Sequence, residues 1–181
     1  MEFTPLGINL YTFFNLPSAW WCGVRVKEIS SKYCSTKVNL NWINKNPFKS
    51  IFWAIQGMAA ELSTGVLIMQ ASKSFKCDIS MLVINNKATF TKKAKGQIVF
   101  SCDNGEAVDK TFTKLLKKNK SQTLWLKAKG IDKEGDIVFD TEDTLNAYNN
   151  DIVIFDVYKN TYKIMYVEDD SKKVVTKVLP L

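Results

Sequence analysis

Between Ser50 and Ala71 the chain carries one charged residue, Glu61. A stretch so apolar on nearly every side is either a helix enclosed by the rest of the protein or a membrane span. Gln56, Glu61, Ser63, Thr64 and Gln70 would be costly in lipid. The flanking segments alternate as strands do, which a single span would not need. An enclosed helix satisfies both observations, with Ser50 as its candidate N-cap after Pro47.

The segments around this helix define the architecture. Residues 23–29 and 36–42 alternate apolar and polar positions and are separated by Ser30-Ser31-Lys32, which predicts a hairpin. After the helix, Ile79 to Thr91 reads as a long strand and Lys92-Lys93-Ala94-Lys95-Gly96 as a basic turn. Gln97 to Cys102 is a further strand, Ala107 to Lys118 an amphipathic helix with a lysine-rich outer face, and Thr123 to Ile131 a strand turned by Asp132-Lys133-Glu134-Gly135 into Asp136 to Phe139. Ile152 to Phe155, Tyr162 to Val167 and Val174 to Val178 also read as strands. Leu10 to Trp21 reads as an amphipathic opening helix. No basic residue precedes it, so its charge order is the reverse of a signal peptide's. A strand run around a helix without a polar face implies an α+β domain whose antiparallel sheet curls around that helix. We expect one domain over 1–181: an N-terminal helix to residue 22, a core over 23–139, and C-terminal strands or an atypical extension over 140–181.

Composition narrows the chemistry. The chain has no histidine, which removes Ser-His-Asp and Cys-His catalysis and histidine metal sites. Cys22, Cys34, Cys77 and Cys102 are far apart in sequence and form no C-x-x-C pair, so neither zinc nor a redox dithiol is expected. Such a chain reads as cytosolic, its thiols acting as small buried hydrophobes. The net charge of +7 suits an anionic ligand as well as simple solubility. One arginine, and aromatics grouped with apolar neighbours, argue against a nucleic-acid partner.

Asn46-Pro47-Phe48-Lys49-Ser50-Ile51-Phe52-Trp53-Ala54-Ile55-Gln56-Gly57-Met58-Ala59-Ala60-Glu61 resembles the helix-start signature of hotdog thioesterases: an Asn loop, a small-residue helix start, and Ala-Glu about ten residues on. Ala88 to Gly96 resembles the strand and basic turn that follow. The pattern is similar to the thioesterase-like hotdog proteins of unknown function over roughly Asn15 to Phe139. Two departures stand out. Phe52-Trp53-Ala54 occupies the place where the family's enzymes usually have His-Gly-Gly, and residues 140–181 do not follow the family's final strand closely.

The resemblance implies a hotdog fold, a homodimer or dimer of dimers, and an acyl-coenzyme A substrate. It implies a thioesterase in which Glu61 is general base or nucleophile and Asn46 orients the thioester or a water. Ser50, Phe52, Trp53 and Ala54 would line the substrate at the helix start, and Lys92, Lys93 and Lys95 would bind coenzyme A phosphates. No metal is implied. Each residue also has a structural reading: Glu61 as a hydrogen-bonding group at a dimer interface, Asn46 as a turn former before Pro47, Phe52 and Trp53 as core, and the lysines as a solvated hairpin tip. Gly57 and Gly65 read as points of close helix-to-sheet contact. The competing function is a non-enzymatic acyl- or lipid-binding module with a degenerate site.

Overall fold

The structure is a computed structural model describing residues 3–118, 122–149, 161–168 and 173–180. Its elements run α1 (Pro5–Asn15), α2 (Pro17–Trp21), β1 (Arg25–Ile29), β2 (Cys34–Asn39), α3 (Trp53–Phe75), β3 (Ile79–Phe90), β4 (Gln97–Cys102), α4 (Gly105–Lys118), β5 (Gln122–Ile131), β6 (Ile137–Asn149), β7 (Thr161–Glu168) and β8 (Lys173–Pro180). The first six strands form one antiparallel sheet in the order β1-β2-β4-β5-β6-β3. The central helix α3 packs across β2, β4 and β5, with α4 and α2 also against it. This is the hotdog arrangement expected from the sequence.

The physical reason for the wrap is visible along α3. Every residue from Leu62 to Ile68 is buried, and seven consecutive positions cover the full circumference of a helix. Three hydroxyls inside this envelope are satisfied locally. The Thr36 hydroxyl donates to the Ala59 carbonyl at 2.7 Å, and those of Ser63 and Thr64 donate back to the carbonyls of Ala60 and Glu61. Phe75 stacks on Phe112 of α4 at 5.4 Å. Phe100 and Phe139 meet edge to face over Gly130, where an added Cβ would lie 2.7 Å from the Phe100 ring.

Several expectations shift. The opening helix is two helices, broken at Leu16-Pro17 because proline offers no N–H. The second strand ends at Asn39 rather than residue 42. Asn41 and Asn44 form side-chain turns there, and Trp42 is exposed. The central helix begins at Trp53, capped by the extended backbone of Phe52, so Ser50 is not its cap. Strand β6 continues ten residues past Phe139, to Asn149. Its polar run is held by pairing with β3 on one side and β5 on the other, a tertiary effect that local propensity does not carry.

Neither C-terminal strand closes the main sheet. β7 and β8 pair with each other as a separate two-stranded sheet. The strand expected at 152–155 lies outside the described residues. Gly57 and Gly65 do not mark tight contacts: a Cβ at Gly57 would meet nothing within 4 Å, and one at Gly65 would touch only Met81 at an ordinary 3.6 Å. Among the described residues no helix is long and apolar enough to cross a membrane.

Candidate functional site

The loop before α3 is built by Asn46. Its side-chain oxygen accepts from the Phe48 and Ser50 amides at 2.9 and 3.2 Å, and its amide nitrogen donates to the Ser50 hydroxyl at 3.0 Å. The Asn46 amide in turn donates to the Ser50 carbonyl at 2.8 Å. This is the turn-forming geometry expected of an Asx residue before proline. It places Lys49 at a φ of 61°, in the left-handed region.

Two amides at the helix start are already committed. Ile51 N–H donates to the Ala94 carbonyl and Phe52 N–H to the Asn44 carbonyl, both at 2.9 Å. The first bond ties the helix start directly to the β3–β4 turn. The next amides, of Trp53 and Ala54, belong to the first helical turn, where a helix has no internal acceptor for its N–H groups and the helix dipole favours negative charge.

Between that helix start and the β3–β4 turn lies a cleft of about 370 Å³. Asn46, Ser50, Trp53, Lys92 and Lys93, all singled out from the sequence, line it. Gln56, Phe90 and Thr91 join them. Lys95 lines an adjoining cleft of about 270 Å³ on the other side of the turn, with Lys92 and Lys93 shared between the two. Phe52 and Trp53 are not core, as a reading of their apolarity would have them. Phe52 is 43% exposed and Trp53 61%, and their rings meet edge to face at 5.7 Å.

The lysines of the turn differ in what they can do. Lys92 Nζ sits among three carboxylate oxygens, 2.7 Å from Asp132, 2.9 Å from Glu134 and 2.7 Å from Asp136. Hydrogen bonds to Asp132, then Asp136 and Glu134, push its pKa up, and the same ammonium holds the Asp132 carboxyl below the usual carboxylate range. These three acids could in principle ligate a cation, but the Lys92 ammonium already stands among them. Lys93 and Lys95 are exposed on the same turn.

Glu61 does not line either of these clefts, and it is exposed rather than held in a poorly solvated interior. The middle of α3 is enclosed from Leu62 to Ile68, but along the first half Trp53, Ala54, Gly57, Met58 and Glu61 are at least partly open. Positions spaced by three and four fall on one face, so Glu61 stands on the uncovered face of the helix. The sequence does not mark Gln56 as a site residue. It is 5% exposed, its Nε2 donates to the Ile51 carbonyl at 3.0 Å, and its Oε1 has no hydrogen-bond partner among the described residues. No sequence signal separates it from Gln70, a similarly buried amide of the same helix.

Residues 10–146 match the domain of unknown function DUF4442. The chain belongs to this family. It is similar in fold to solved structures whose own length it covers almost end to end. A Pseudomonas aeruginosa protein of unknown function, named a probable thioesterase, is 16% identical over 81% of this chain and 97% of that one, with a TM-score of 0.67. A Chlorobaculum tepidum protein of unknown function is 13% identical over 81% and 98%, with a TM-score of 0.70. A Haemophilus influenzae thioesterase is 11% identical over 82% and 93%, with a TM-score of 0.62. No curated protein is significantly similar to the chain. At these identities the likeness shows the hotdog fold of this DUF4442 chain and not its reaction.

Proposed function

We propose that the chain binds acyl thioesters of coenzyme A in the cleft between the start of α3 and the β3–β4 turn, and that it hydrolyses them as a homodimer. The observation that carries this reading is the cleft itself, which joins helix-start amides to a basic turn. Amides at the start of a helix stabilise a thioester oxyanion, and because those of Ile51 and Phe52 are bonded to carbonyls and neither Phe52 nor Ala54 lines the cleft, that role falls first to Trp53. Exposed Lys93 and Lys95 suit the phosphates, with Lys92 anchoring the turn that presents them. Ser50 and Asn46 form the polar wall, Asn46 holding Ser50 in place and facing the thioester or its attacking water. Phe52 flanks the acyl group beside Trp53.

Glu61 is the proposed general base. Its place on the uncovered face of α3 suits a subunit arrangement in which it reaches the helix start of a neighbouring copy. The test is thiol release from acyl-coenzyme A substrates across a range of chain lengths, for the wild-type protein and for Glu61→Gln. The substitution keeps the shape and removes the base, so turnover should fall by about 10²-fold or more with melting little changed. Full turnover in Glu61→Gln would sink the catalytic assignment.

A binding module without turnover is the second reading, and Trp53 favours it. An indole lining the cleft crowds the approach of a carbonyl to the backbone N–H groups beneath it. Saturable binding of acyl-coenzyme A with no thiol release in the wild-type protein would decide for the module.

A further inference from the structure

Two short segments of the subunit expose large apolar side chains, and the charges that accompany them are nearly all of one sign. In α1 and α2 a chain of edge-to-face rings runs from exposed Phe14 through Phe13 and Trp20 to exposed Trp21. The loop between β2 and α3 adds Trp42, Ile43 and Phe48, with Trp42 81% and Phe48 74% exposed. Asn44 ties the two segments together: its Nδ2 donates to the carbonyl of Cys22, the residue after Trp21, at 3.0 Å. From Phe3 to Ala60 the chain has six cations and one acid, Glu28, and Glu28 is paired with Lys27. Lys45 and Lys49 stand exposed in the loop itself. Exposed apolar residues grouped in this way mark an interaction surface.

The chemistry of the loop selects its partner. Lysine is depleted from protein–protein interfaces, and a two-fold pairing of this patch with itself would set like charge against like charge. Tryptophan flanked by lysine suits instead the boundary between lipid headgroups and acyl chains. There the ring sits at headgroup level, and the lysine stem lets its ammonium reach anionic groups. The loop backbone also suits a site that loses water. The Ile43 and Asn44 amides donate to Asn41 Oδ1, those of Phe48 and Ser50 to Asn46 Oδ1, and that of Lys49 to the Asn46 carbonyl. Amides bonded within the loop are not left bare when water is displaced. We propose that this loop, with the exposed rings of α1 and α2, docks the protein on an anionic lipid bilayer. Trp42, Ile43 and Phe48 enter the headgroup–acyl boundary, and Lys45 and Lys49 meet the anionic headgroups. The chain lies on the bilayer and does not span it. Such docking requires no thioester chemistry in the cleft.

The test is flotation of the full chain with two kinds of vesicle: phosphatidylcholine alone, and phosphatidylcholine mixed with phosphatidylserine. The wild-type protein should bind the anionic vesicles about tenfold or more better than the neutral ones, and added salt should release it. Trp42→Ser combined with Phe48→Ser should weaken that binding by about tenfold or more. Lys45→Gln combined with Lys49→Gln should weaken it by about as much. All four side chains already face solvent, so both double variants should melt with the wild-type protein, and the lysine pair decides alone if the aromatic pair unfolds. Wild-type protein left unbound by the anionic vesicles overturns the proposal. Binding that survives both double variants also overturns it, since the contact then lies elsewhere. Equal binding to neutral and anionic vesicles removes the charge match that selects a bilayer, and the proposal fails. If the aromatic pair instead abolishes a self-association seen by sedimentation while no vesicle is bound, the patch belongs to a second copy of the chain, and the proposal fails.

Discussion

Gly57 and Gly130 show how differently two glycines of one subunit can behave. Gly57 lies in the first half of α3, where an added Cβ meets nothing within 4 Å. Glycine inside a helix costs stability through its backbone freedom, so Gly57→Ala should raise the stability of the isolated subunit by about 0.5–1 kcal/mol. Gly130 is the opposite case. A Cβ there would sit 2.7 Å from Phe100 and 3.1 Å from Phe139, and both rings are themselves fully buried. Gly130→Ala should cost about 1–3 kcal/mol through forced repacking. Denaturant midpoints of the two variants, taken with unchanged slopes, check both signs. A stabilised Gly130→Ala would mean that the Phe100 and Phe139 rings move apart at little cost. A glycine in an apolar helix suggests close packing, which points to Gly57 and Gly65 and not to Gly130. Nothing in the spacing around Gly130 disclosed that two rings, one thirty residues away in sequence, would converge on it.

At the scale of elements, strands β2 and β4 place Cys34 directly opposite Cys102, a pairing invisible in a sequence where the four cysteines form no motif. Both are fully buried, and burial, then the neighbouring Cys102, pushes the Cys34 thiol up to about 12. The linkage follows from the sign of that shift. An unfolded chain ionises this thiol near pH 8.5, whereas the folded protein keeps it protonated until about pH 12. The unfolded state therefore binds fewer protons between those values, and stability is lost as pH rises through that window. Urea midpoints should fall from pH 8 upward, and more shallowly in Cys34→Ala. Alkylation should reach half-buried Cys22 and Cys77 before Cys34 and Cys102. A midpoint that falls equally steeply in both proteins would remove Cys34 as a cause.

The same elements show what a sequence discloses. The long apolar run and its alternating flanks made the central helix, the hairpin, β3, β4 and the hotdog wrap legible, because burial there follows local pattern. Strand β6 was legible only to Phe139, because Asp140-Thr141-Glu142-Asp143-Thr144 is polar and is held by its neighbours on both sides. The site was legible in its outline: Asn46, Ser50, Trp53, Lys92 and Lys93 do converge on one cleft. Neither the triple carboxylate grip on Lys92 nor the bare oxygen of Gln56 was legible, because each depends on groups brought together by folding.

At the scale of the whole molecule, the six-stranded sheet ends on β1 and β3. β1 is five residues long, but β3 is twelve, mostly exposed along its second half. A long open edge is a template for pairing with another chain, and a two-fold pairing of identical edges closes on itself. The proposed dimer therefore joins β3 to β3 into one continuous sheet. Sedimentation should give twice the chain mass at micromolar concentration. A monomer under those conditions would count decisively against the pairing. Ile84, 43% exposed at the irregularity in β3, offers the sharper experiment. Ile84→Lys should dissociate the dimer while leaving far-ultraviolet circular dichroism unchanged, since the side chain already faces solvent in the single subunit. If Glu61 acts across the interface, this variant loses thiol release although every proposed site residue is intact. Wild-type turnover in a variant shown to be monomeric would place Glu61 and the helix start of one subunit within reach of the same substrate, and would remove the partner from the mechanism.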